Sequence, residues 1–117
     1  MSKFLNGPAS GQFLSLSRSP FFLRAVLAPS GKWDALDQLE DEPASNEEIH
    51  VYRLDSTPMT AHVDGRDPKT GRRYGRWMSI ADYVLHDEQP NDVTARNKSA
   101  WQAWCAVQGA KINRQNV

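Results

Sequence analysis

The hydrophobic positions of this chain change their spacing several times, and each spacing predicts a different element. Phe21–Leu27 is a nearly continuous apolar run broken only by Arg24, the pattern of a central strand covered on both faces. Ile49–Leu54 alternates, with Ile49 and Val51 on one side and His50 and Tyr52 on the other. Met59, Ala61 and Val63 alternate with Thr60, His62 and Asp64, which predicts a strand with one face buried. From Arg73 to Leu85 aromatic and branched residues recur, but Met78 and Ile80 lie on the opposite parity from Tyr83 and Leu85. That slip near Ala81 and Asp82 predicts a bulge or a strand break.

Turn chemistry separates these runs. Pro29-Ser30-Gly31 closes the first strand, and Asp67-Pro68-Lys69-Thr70-Gly71 reads as a hairpin loop with Gly where a positive φ is wanted. Pro90-Asn91-Asp92 opens a helix, with Asn91 or Asp92 as its cap. Val93, Ala100, Trp101, Trp104 and Val107 recur at helical spacing, and Gly109 is the expected terminator. Asn97 lies on the same face and needs a hydrogen-bond partner if buried. Trp101 and Trp104 are expected to fill the core rather than to anchor a partner.

Runs of strands followed by a helix predict an α+β fold. The expectation is a small antiparallel sheet of about four to five strands packed against one C-terminal amphipathic helix. Residues 1–20, rich in Gly, Ser and Pro, read as a flexible N-terminal arm with an apolar patch at Phe13–Leu16. Residues 21–110 form the single domain, and 111–117 a polar tail. Residues 1–32 hold no acid, a trait of transit peptides, but the apolar run that follows suits a core strand better.

The totals sharpen this picture less than the distribution does. The 117 residues balance 14 basic against 14 acidic side chains, so no net field steers the molecule towards nucleic acid or membrane. The balance hides a segregation. Asp34, Asp37, Glu40, Asp41, Glu42, Glu47 and Glu48 cluster without a base in segment 34–48, and Trp33, Leu36 and Leu39 pin that segment to the core as a short helix or loop. Segment 65–77 carries Arg66, Lys69, Arg72, Arg73 and Arg76 against Asp67 alone. A basic hairpin of this kind grips phosphates through Arg forks, while Tyr74 or Trp77 stacks on a base. The competing account makes it a solvated tip whose bases screen the acidic segment, with both aromatics in the core.

Other chemistry is weakly signalled. Gly65–Gly71 is no phosphate loop, because Arg72 and Arg73 stand where Lys and Ser/Thr belong. His50 and His62 meet across adjacent strands only by coincidence of register, and no pair of ligands has the spacing of a structural zinc site. No nucleophile elbow or Cys–His signature gives a catalytic geometry, and Cys105, the one cysteine, reads as a buried thiol on the helix flank. The expectation is therefore a cytoplasmic, non-enzymatic binding protein without metal or cofactor. It acts as an accessory or inhibitor on another protein or a protein–nucleic-acid machine, as phage or mobile-element products do. Its contact residues are Arg66, Lys69, Arg72, Arg73, Tyr74 and Arg76. The alternatives are direct nucleic-acid binding through the same hairpin, and a structural subunit whose arm orders on assembly.

Overall fold

A computed structural model describes residues 1–16, 18–40, 42–56 and 59–115. The fold is mixed α+β, and its sheet exceeds the expected four to five strands. Among the described residues it has seven: β1 (Ser2–Phe4), β2 (Phe13–Leu14), β3 (Phe22–Leu27), β4 (Trp33–Leu36), β5 (Glu48–Leu54), β6 (Met59–Arg66) and β7 (Arg73–Leu85). The order is β2-β1-β7-β5-β3-β4, with β6 attached to β7 outside this path. The two ends of the order, β2 and β4, approach one another, so the sheet curls almost into a barrel.

The additional strands come mainly from the N-terminal segment, which is built into the sheet rather than being a flexible arm. β1 runs parallel to β7, pairing Ser2 with Ala81 and Phe4 with Tyr83, and antiparallel to β2. Phe4 is 1% exposed and lies between Tyr52, edge-on at 4.7 Å, and Tyr83, stacked at 5.9 Å. The turn between β1 and β2 wraps the Tyr52 hydroxyl, which donates to the Asn6 carbonyl and accepts from the Ala9 amide. Gly7, at φ 72°, is required there, since a Cβ would stand 2.7 Å from that hydroxyl. The buried aromatic and these bonds offset the cost of ordering a Gly- and Ser-rich segment. The acidic segment likewise contributes a strand, β4, where a short helix or loop was expected, and Leu39 is exposed. Asp41 lies outside the described residues.

Both faces of the central strands are covered. Inside the curl, Phe4, Leu14, Leu23, Ala25, Tyr52 and Tyr83 form one core. On the outer face Phe22 and Val51 pack against Trp101 and Cys105 of the C-terminal helix. This explains the unbroken apolar run of β3, and Arg24 is its instructive exception. Fully buried on the helix side, Arg24 donates to the carbonyls of Ala95, Asp37 and Glu40, and its guanidinium lies 5.0 Å over the Trp101 ring. It therefore ties the β4 loop, the helical region and the sheet together.

The helical region is two helices, α1 (Asp92–Arg96) and α2 (Lys98–Gln115). Asn91 caps α1 as expected. Asn97 ends α1 and starts α2: its amide donates to the Val93 carbonyl, and its side chain accepts from the Ala100 amide. The polar residue on the apolar face is thus a cap, and the break rephases the helix. Trp101, Cys105 and Gln108 are buried, whereas Val93 and Val107 are exposed. Trp101 and Trp104 stack at 5.4 Å as core residues. Gly109 does not terminate α2. Continuing costs about 1 kcal/mol for a mid-helix Gly, but it lets Ile112 join the core and Lys111 reach Glu88 at 3.2 Å. Residues 111–115 are accordingly helix rather than tail. Among the described residues no helix is long and apolar enough to cross a membrane.

The parity slip in β7 has a different cause from a bulge. Residues 73–80 pair with β6, from Arg66 opposite Arg73 to Met59 opposite Ile80, whereas Ala81–Leu85 pair with β1 and β5. One strand changes partners at Ala81, and its buried face changes with them. β6 pairs with β7 alone among the described strands, so β6 and the first half of β7 form a two-stranded arm. Eight residues of extended chain span about 27 Å. The radius of gyration, 15.7 Å, exceeds the roughly 13 Å expected for a compact chain of this length. The expected half-buried strand is hence largely solvated: Met59 is 71% exposed.

Candidate functional site

The arm is closed by a well-specified loop. The Asp67 amide donates to the Arg72 carbonyl, the Gly71 amide to the Asp67 carbonyl, and the Asp67 carboxylate accepts from the Lys69 amide. Gly71 takes φ 71°, as the loop sequence requires. Asp67 and Arg72 being hydrogen-bonded, the next pair, Arg66 and Arg73, occupies a non-hydrogen-bonded position, where opposed side chains lie closest. Two like charges directly across a ladder repel.

The register divides the expected contact residues. Arg66 and Arg73 share a face with Asp64, His62 and Trp77. Tyr74 points to the other face and lies over Gly65, where a Cβ would meet its ring at 2.4 Å. Position 76 falls on that second face too, and the Arg76 side chain lies outside what is described. Lys69 and Arg72 sit in and beside the loop. By register the aromatic on the face of the Arg pair is Trp77, while Tyr74 borders the same hollow as that pair. The Trp77 ring is 71% exposed and meets the His62 ring edge-on at 5.1 Å. Gly75 makes room for this, because a Cβ there would stand 2.6 Å from His62 Nε2. His62 in turn lies 3.4 Å from Asp64. His62, Asp64, Arg66, Arg73 and Tyr74, with Gly65 and Gly75, border an open hollow of about 780 Å³.

Sequence reasoning passed over His62, Gly65 and Gly75 as parts of this site. The signal was present: a Gly inside a strand pattern marks a close approach, and here each makes space for a ring.

Among the described residues no side-chain hydrogen bond or ion pair joins the acidic segment to the basic one. Asp37 bonds Arg18 and accepts from the Leu39 amide; Glu42 accepts from the Lys98 amide, Glu47 from the Ala44 amide, and Glu48 lies 3.8 Å from His50. Burial pushes the Asp37 pKa up, but the Arg18 and backbone hydrogen bonds outweigh it and hold the carboxyl below its ordinary value. Among the described residues no acid forms an ion pair with Arg66, Lys69, Arg72 or Arg73. These contacts lend no support to the account in which these bases screen the acidic segment.

His50 and His62 do not lie on adjacent strands, since β5 pairs with β3 and β7 while β6 pairs with β7. Among the described residues no group of three or more His, Cys, Asp or Glu could hold a metal ion. A second hollow, about 570 Å³, runs between α2 and the segment before β3, bordered by Phe21, Phe22, Cys105 and Ile112. Burial pushes the Cys105 thiol up to about 12, so it presents a neutral surface there rather than a nucleophile.

The chain matches no protein-family model, no curated protein and no solved structure.

Proposed function

We propose that the chain is a small non-enzymatic binding protein that engages an anionic surface of a protein or a protein–nucleic-acid assembly through the β6–β7 arm. One observation carries this reading: Arg66, Lys69, Arg72 and Arg73 project from an arm outside the main sheet path, without an acidic ion-pair partner among the described residues. Charges that stabilise a fold are paired or dispersed, whereas this cluster includes a repelling pair that an anionic partner would neutralise. Placement on an arm leaves Arg66 and residues 71–75 at its loop end exposed, and the body supplies a base through the continuous strand β7.

The test is affinity purification from native-host lysate, with and without nuclease, comparing the natural chain with Arg66→Glu/Arg72→Glu/Arg73→Glu. The reading predicts partners recovered with the natural chain and lost with the variant, at unchanged unfolding midpoints. Equal recovery by both chains contradicts it.

A further inference from the structure

The two faces of the arm differ in what they offer, and the difference names a class of ligand. One face combines the close Arg66–Arg73 pair with an exposed Trp77 ring set beside His62. The other presents Tyr74 flat over Gly65, with Met78 and Ile80 half-buried. We infer that the first face is a binding site for single-stranded nucleic acid, with Trp77 stacking on a base and Arg66 and Arg73 holding phosphate. This rests on the arm being the contact element and goes further by naming what it touches.

The chemistry favours a single strand over a duplex or an acidic protein. A ring exposed on a flat strand surface needs the open face of a base, and a duplex hides base faces inside its stack. An acidic peptide would neutralise the Arg pair but has no use for the neighbouring ring. Trp77 and Arg73 stand four residues apart on one strand, about 13 Å, so one extended ligand strand running along β7 meets both. Gly75, between them, carries no side chain of its own, and the His62 ring lies over it, so that path runs across the His62 ring. Asp64, on the same face, is turned to His62, and it restricts the phosphate contacts to the loop end of the arm. Lys69 and Arg72 at the loop extend the basic surface, giving about two to four phosphate contacts and a salt dependence of about −1.4 to −2.8 in log K against log salt.

The test is fluorescence titration of the full chain with unstructured oligodeoxynucleotide, unstructured oligoribonucleotide, duplex of matched length and polyglutamate, across a salt series. The expected result is preference for either single strand over the duplex, with the slope above. Trp77→Ala should weaken binding about 5- to 150-fold, the range of one stacked base, and Trp77→Phe should recover most of it. Both variants should unfold at the natural midpoint, because the ring is exposed. Binding to the duplex at least as tight as to single strands, insensitivity to Trp77→Ala, or equal affinity for polyglutamate would each overturn the inference. If no oligonucleotide binds while arm-dependent partners survive nuclease in lysate, this inference fails and the broader reading stands.

Discussion

Strand β7 is one continuous segment with two different lives. Its second half, Ala81–Leu85, lies between β1 and β5, and Ala81 and Tyr83 are fully buried. The Tyr83 hydroxyl donates to the Pro20 carbonyl at 2.6 Å, and burial raises its pKa. Its first half, Arg73–Ile80, is half of a solvated arm whose Trp77 is 71% exposed. The same secondary structure thus serves stability in one half and recognition in the other. What separates them is the set of partner strands, not propensity. In the body, substitutions should act through packing. In the arm they should act on association and leave the fold alone.

That contrast can be broken from either side. The largest expected effect is in the body: Phe4→Ala empties the space between Tyr52 and Tyr83 and should cost about 3–5 kcal/mol in urea denaturation. A loss below about 1 kcal/mol would mean that the N-terminal segment is not part of the core. Gly7→Ala comes next. It strains a positive φ and crowds the Tyr52 hydroxyl, and should cost about 1–3 kcal/mol. The matching change at Gly11, which has open space around it, isolates the backbone term.

Acid offers a smaller, graded test. The Asp37 pKa is lower folded than unfolded, so its stabilisation is present above the unfolded value and is lost as pH falls through the folded one. Unfolding midpoints should fall on acidification below the ordinary aspartate range, and Asp37→Asn should flatten that part of the profile. Smallest for stability is Arg73→Glu. It replaces a like-charge pair by an opposite one and should leave stability unchanged or raise it by up to about 0.5 kcal/mol, while binding collapses.

How much of this was legible in the sequence follows the range of the interactions. Local chemistry was readable: the hairpin loop, the Asn91 cap, the doubly covered Phe21–Leu27 run and the core role of Trp101 and Trp104. Arg24 broke that run without weakening the strand, because its hydrogen-bond partners come from three distant carbonyls. Non-local pairing was not readable. Nothing around Ser2–Phe4 announces a parallel partner near Ala81, and Gly- and Ser-rich composition reads as disorder until Phe4 finds Tyr52. The alternation in Met59–Asp64 looked like a buried face because period alone does not say what covers a strand. Charge segregation pointed to the arm, but register decided which residues share a face, and it set Trp77 on the face of the Arg pair.

Hydrogen–deuterium exchange along β7 in the isolated chain tests the division most directly. The account predicts that the amides of Tyr83 and Val84, within the ladders to β1 and β5, exchange only near global unfolding, while those of residues 73–80 exchange far faster through local opening of the arm. Uniform protection from Arg73 to Leu85 would contradict it, because the arm would then be part of the same cooperative body.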